Sequence, residues 1–107
     1  MSTNILIVNG YDIRTIVADV KSKYPNIESS DDLEKLESLY FDHIQACDLN
    51  ECKMWLTHYI KEGLNDLEQA SEMYMPEQRN SRAQLEYEGY LKILAAYNLY
   101  PEKDTEI

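Results

Sequence analysis

A small, mainly α-helical domain of four helices, with room for one short N-terminal β-strand, is the fold class that this sequence predicts. Three observations predict it. Only three glycines and three prolines interrupt the 107 residues, so the elements are long and their connections are short. Apolar residues recur at helical spacing in four successive segments, most of them preceded by capping residues. With 44% hydrophobic residues, the chain can bury a core without disulfides or a structural metal.

The chain has the length of one domain. We expect residues 1–100 to form a single acidic helical domain and residues 101–107 to form a polar C-terminal tail. No run approaches the ~20 apolar residues of a membrane span. The apolar run at residues 5–8 lacks the basic flank and cleavage site of a secretory signal, so we expect a cytoplasmic protein.

The first element is a predicted strand over residues 4–8, which is rich in β-branched and aliphatic side chains and ends at the turn pair Asn9-Gly10. A single strand needs a partner. On the sequence alone, that partner is a second copy of the chain, unless the strand is an extended arm.

The segment that follows the turn fits two structures. An alternating set of residues with high strand propensity fits the second strand of a hairpin: Tyr11, Ile13, Thr15 and Val17. The spacing of Ile13, Ile16 and Val20 fits a helix instead, with Asp12 as its N-cap. We predict the helix, over about 12–24, since Pro25 would end it.

The second helix begins among residues 29–31, where Asp31 and Glu34 have the spacing of a capping box. Its apolar stripe consists of Leu33, Leu36, Tyr40, Ile44 and Cys47.

The third helix begins near Asp48, with Glu51 three residues later, and ends before Pro76. Its predicted core face consists of Cys52, Leu56, Tyr59, Ile60, Gly63, Leu67, Ala70 and Tyr74.

The fourth helix begins near Ser81, which forms a capping-box pattern with Gln84, and ends at Pro101. Its core stripe consists of Ala83, Tyr87, Tyr90, Leu91, Leu94 and Tyr97. A second apolar side consists of Leu85, Gly89, Ile93, Ala96 and Tyr100. An apolar surface this wide predicts either the central helix of the bundle or the isologous interface of a homodimer.

The formal charge of −10 excludes a protein that binds nucleic acid by neutralising phosphates. The acids are concentrated in two stretches. Residues 28–51 hold eight acids and one base, and residues 62–77 hold five acids and no base. Such segregation predicts a directional surface that meets a basic protein. On the second helix, the predicted partner-binding residues are Asp31, Glu34, Glu37 and Asp42.

The third helix extends this predicted surface beside its core stripe with Trp55, Glu62 and Asp66. A tryptophan among carboxylates is typical of a contact surface, where it would supply the buried anchor. The alternative is that Trp55 folds against a neighbouring helix and the acids only face solvent.

The sequence gives only weak signals for a metal, redox or catalytic site. His43, Cys47, Cys52 and His58 have the ligand types of a zinc site, but their spacing matches no usual zinc motif. The cysteines also lack the CxxC spacing of a redox pair, and no nucleotide or hydrolase motif is present. We therefore expect no enzymatic activity, no cofactor and no metal.

Residues 8–16, from Val8 to Ile16, resemble the opening of barstar-type ribonuclease inhibitors, which are likewise small, acidic and begin with a strand. The size and charge of the whole chain are also similar to those of the acidic inhibitors that phages and mobile elements direct against restriction or CRISPR nucleases, some of which mimic DNA. Both resemblances imply an inhibitor.

The expected function is a non-enzymatic acidic protein that blocks a basic surface of a larger protein, such as the nucleic-acid-binding groove of a nuclease. The alternative is an immunity protein or antitoxin that neutralises one cognate toxin. Neither function involves a membrane or direct contact with nucleic acid.

Overall fold

A computed structural model describes residues 6–101 as a bundle of four α-helices preceded by a short antiparallel β-hairpin. The mainly α fold with four helices is therefore confirmed. The elements are β1 (Ile7–Val8), β2 (Tyr11–Asp12), α1 (Ile13–Lys23), α2 (Asp31–Ile44), α3 (Leu49–Ser71) and α4 (Arg79–Leu99). Single 3-10 turns at Ile27–Ser29 and Pro76–Gln78 precede α2 and α4. The first part of the predicted strand, at 4–5, and the predicted tail beyond 101 lie outside the described residues.

The N-terminal segment combines the two structures that fitted the sequence. Val8 pairs with Tyr11 across a turn in which Asn9 and Gly10 both have positive φ, as a tight two-residue hairpin requires. The helix then begins at Ile13, and the side chain of Asp12 accepts a hydrogen bond of 3.0 Å from the backbone N–H of Arg14. The strand is thus paired within its own chain, and neither a second copy nor an extended arm accounts for it.

Local capping positions α2 and α3. The Ser30 hydroxyl accepts a hydrogen bond of 3.1 Å from the backbone N–H of Leu33, so the N-cap of α2 is Ser30 and Asp31 is its first helical residue. The predicted capping box on Asp31 is therefore wrong by one residue. Asp48 caps α3 as predicted, because its carboxylate accepts a hydrogen bond of 2.9 Å from the N–H of Glu51.

The connection between α3 and α4 differs from the prediction at both ends. The helix α3 ends at Ser71, so Tyr74 lies beyond it and is 80% exposed rather than part of the core face. Pro76 begins a 3-10 turn that leads directly into α4 at Arg79. The predicted cap, Ser81, therefore lies inside the first turn of the helix, and α4 has no side-chain cap.

The core is organised around the crossing of α3 and α4. A Cβ atom added to Gly63 would lie 2.7 Å from the backbone oxygen of Gly89, and one added to Gly89 would lie 2.8 Å from the oxygen of Gly63. The two backbones therefore touch where the glycines meet. Ile93 and Leu94, in the next turn of α4, are fully buried. The helix α4 is thus the central helix. It packs against α3 and also against α2 and α1.

This arrangement corrects the predicted dimer interface. Gly89, Ile93 and Ala96 are buried inside a single chain, so they cannot be the surface that meets a second copy. Leu85 and Tyr100, the other two residues of that predicted interface, are only partly exposed. The wide apolar surface of α4 is explained by its central position.

Two tyrosines, one in α2 and one in α4, should make the free energy of unfolding decrease at alkaline pH. Burial raises the pKa of Tyr40 and of Tyr90, and the Tyr90 hydroxyl also donates a hydrogen bond of 2.9 Å to Asp19. In the unfolded chain tyrosine ionises near pH 10, whereas in the fold it stays protonated to higher pH. The stability from these neutral hydroxyls is complete below pH ~10 and declines as the pH rises above it.

We therefore expect the urea midpoint of unfolding to stay constant up to about pH 9.5 and to fall between about pH 10 and 11.5. Lys23, whose pKa is raised by its bond with Glu86, contributes to the same decline. Burial also raises the pKa of Tyr24 and Tyr59, but less, so Tyr40→Phe combined with Tyr90→Phe removes the larger part of the tyrosine contribution and should make the profile less steep. A midpoint that falls equally steeply in that double variant would contradict the assignment to tyrosine.

Candidate partner-binding surface

The helix α2 presents three of its predicted acids to solvent. Asp31, Glu34 and Asp42 are exposed, and none of them forms an ion pair with any residue in the range 6–101. The opposite side of the helix is anchored in the core, so these carboxylates are held outward by a rigid element. The fourth predicted acid, Glu37, is partly buried and accepts a hydrogen bond of 2.7 Å from the side-chain amide of Asn98 in α4. Glu37 therefore ties α2 to α4.

Two apolar side chains flank these acids, and the sequence analysis missed both. Leu39 is 62% exposed and Phe41 is 52% exposed. At 3.6 residues per turn, Asp31 and Asp42 lie almost in line, and Leu39 and Phe41 point roughly 80° to either side of them. Their departure from the apolar period of α2 was the signal that could have identified them. We call Asp31, Glu34, Leu39, Phe41 and Asp42 the acidic ridge.

Trp55 lies beside the acidic ridge, between α2 and α3. It is partly buried, and its ring meets that of His43 edge to face, with centroids 4.7 Å apart. His58 and Tyr59, on the next turn of α3, have ring centroids 5.8 and 6.2 Å from Trp55. Trp55 thus folds against a neighbouring helix, as the alternative interpretation held, and it also keeps part of its ring at the surface.

A stacked tyrosine pair lies deeper in the same inter-helix space. The rings of Tyr40 and Tyr59 are almost parallel, with centroids 4.0 Å apart. Tyr40 is 5% exposed, and its stacking partner Tyr59 contacts the more exposed rings of the cluster. Aromatic side chains, rather than close backbones, therefore fill the space between α2 and α3.

The two predicted acids of α3 have different roles. Glu62 is exposed, and its carboxylate oxygen lies 2.8 Å from the imidazole Nε2 of His58. Asp66 accepts a hydrogen bond of 2.7 Å from Lys92 of α4, and its side chain is only 14% exposed. Asp66 therefore belongs to the packing of α3 against α4, whereas Glu62 is available at the surface.

The cysteines lie at the α2–α3 junction, on either side of the cap Asp48. Both are free thiols and partly buried, and desolvation is the main cause that raises the pKa of each. Cys47 immediately precedes the cap and Cys52 is the fourth helical residue, which are the positions of a hydrophobic staple. Among residues 6–101, no group of three or more His, Cys, Asp or Glu side chains is placed to hold a metal ion.

No family model, curated protein or solved structure matches this chain. The resemblance to barstar-type inhibitors therefore stays limited to residues 8–16, which form most of the hairpin and the first turn of α1. In the described part of the chain, no helix combines the length and apolar character that crossing a membrane requires.

Proposed function

We propose that this protein is a non-enzymatic binding protein whose acidic ridge occupies a basic surface of a larger protein, of the kind that otherwise holds nucleic acid. The observation that carries the proposal is the composition of the ridge. Its three carboxylates form no ion pair within residues 6–101, and the same helix also exposes Leu39 and Phe41.

The ridge has the mixed composition of a contact surface. An interface combines apolar anchors with a charged rim, and the ridge carries both on one helix. The carboxylates would attract a basic partner and accelerate its association, and burial of Leu39 and Phe41 would then slow dissociation.

The shape of the ridge supports a groove as its complement. The helix α2 has 14 residues and spans about 21 Å. Asp31 and Asp42 point outward almost in line, Glu34 and Phe41 point to one side of that line, and Leu39 points to the other. A concave partner could therefore contact all three sides at once. Grooves lined by lysine and arginine are typical of proteins that track a nucleic-acid backbone.

Charge reversal on the ridge provides the test. Glu34→Lys combined with Asp42→Lys should weaken partner binding about tenfold while the fold is retained, since both side chains are exposed. The matched control is Glu68→Lys with Glu72→Lys, because these exposed acids lie outside the ridge and the change in net charge is the same. Partners are captured from host lysate on the immobilised protein, identified by mass spectrometry, purified, and titrated against each variant.

The proposal requires a captured protein that is basic, is released by competing nucleic acid, and binds the control variant as tightly as the parent chain. Equal binding by the ridge variant would overturn the role of the ridge. A dedicated toxin that nucleic acid does not displace would overturn the groove-blocking function in favour of an immunity protein.

A further inference from the structure

A cluster of aromatic rings lies beside the acidic ridge, in the space between α2 and α3. The rings of His43, Trp55 and His58 all contact the ring of Tyr59, and these three residues remain at least partly accessible. Exposed Leu39 lies one helical turn before His43 on α2, and the Glu62 carboxylate borders the cluster on the α3 side through its contact with His58.

From this juxtaposition we infer that Trp55 and Glu62 form the docking point for an arginine side chain of the partner. The inference rests on the proposed function, because it specifies one contact of the basic surface that the acidic ridge would meet. It names the residue type on the partner as well as the two groups that receive it.

The indole of Trp55 supplies the first half of the site. Tryptophan is the strongest aromatic acceptor of a cation, and a guanidinium is flat enough to stack on its face. The ring is held in place, since His43, His58 and Tyr59 contact it from two helices. A fixed ring loses little conformational entropy when it binds, which is a property of interface anchors.

Glu62 supplies the second half. His58 occupies one oxygen of its carboxylate at 2.8 Å, and the lone pairs that remain can accept N–H groups from a guanidinium. His58 contacts both Glu62 and Trp55, so the indole, the imidazole and the carboxylate form one continuous patch along α3. A lysine ammonium cannot both stack on a ring and donate through a planar fork, so the geometry favours arginine.

Trp55 is the single tryptophan of the chain, so its fluorescence reports directly on the site. The full-length protein is titrated with an arginine homopeptide and with a lysine homopeptide of equal length. We expect a saturable change in emission and binding of the arginine peptide at least about threefold tighter than that of the lysine peptide. Glu62→Gln should remove this preference. Glu68→Gln removes the same charge on another side of α3 and should preserve it.

Trp55→Phe, followed by calorimetry and checked for fold by circular dichroism, should also reduce the preference for arginine. Equal binding of the two peptides, no binding of either, or equal behaviour of Glu62→Gln and Glu68→Gln would overturn the inference. None of these results depends on the ridge. Reversal of Glu34 and Asp42 tests the proposed function separately, so the two failures are distinguishable.

Discussion

Replacing Gly63 by alanine is expected to lower the free energy of unfolding by about 3 kcal/mol, although alanine is the better helix former. The added methyl group would lie 2.6 Å from Cγ1 of Ile93 and 2.7 Å from the carbonyl oxygen of Gly89. The isoleucine side chain could rotate, but the carbonyl belongs to the backbone of α4. Relief therefore requires the two central helices to separate, which would loosen the packing around Ile93 and Leu94. Urea denaturation measures the loss.

Two further glycine variants serve as controls for this prediction. Gly89→Ala should have a comparable effect, because its new methyl group would lie 2.8 Å from the carbonyl oxygen of Gly63. A methyl group added at Gly10 would have no atom within 4 Å, so Gly10→Ala tests only the positive φ of the hairpin. It should lower the free energy of unfolding by about 1 kcal/mol. If Gly63→Ala instead stabilised the protein, the higher helix propensity of alanine would exceed any steric cost of the new methyl group. The close crossing of α3 and α4 would then be refuted.

The glycine pair shows what the sequence could and could not predict about the core. Gly63 was on the predicted core face of its helix, and Gly89 lay within an apolar surface too wide for one neighbour. That the two glycines face each other depends on the register between α3 and α4. The register is set by the connection through Pro76, where a 3-10 turn leads into α4 without a cap. Pro76 shows where that turn begins but not that α4 follows it without a cap, so the choice between a central helix and a dimer interface stayed open.

Local features were predictable because they depend on a few adjacent residues. Asp12 and Asp48 each accept from a backbone N–H two or three positions away, and the sequence identifies both as caps. At Ser30, two serines and an aspartate compete for the same role, and the prediction erred by one residue. The positive φ values at Asn9 and Gly10 also follow from residue type, but the length of the second strand does not.

The candidate surface was predicted only in part, because helical spacing cannot distinguish an exposed carboxylate from one paired with another helix. Glu62 and Asp66 occupy neighbouring positions on the same side of α3. Only the approach of Lys92 from α4 assigns Asp66 to the interior packing and leaves Glu62 at the surface. Tertiary pairing of this kind is invisible to a one-dimensional pattern. Phe41 shows the converse, since its exposure beside the acids is visible as a break in the apolar period.

Replacing Tyr40 by alanine is expected to cost about 3–4 kcal/mol and to alter the site above it. The ring of Tyr40 is 5% exposed and stacks on Tyr59 at 4.0 Å, so its removal leaves a cavity in the space between α2 and α3. Because Trp55 rests against Tyr59 and against His43 of α2, its fluorescence should shift as the ring relaxes into that cavity. Urea denaturation and Trp55 emission measure the two effects on one sample.

Tyr40→Phe is the matched control, because it keeps the stacked ring and removes only the hydroxyl. That variant should stay within about 1 kcal/mol of the parent chain and leave the emission of Trp55 unchanged. If Tyr40→Phe destabilised the protein as much as Tyr40→Ala, the hydroxyl would be the stabilising group. If Tyr40→Ala lowered stability without altering the emission, the tyrosine pair would support the fold but would not position Trp55. The preference for arginine would then have to survive in Tyr40→Ala, whereas a positioning role requires that the preference be reduced.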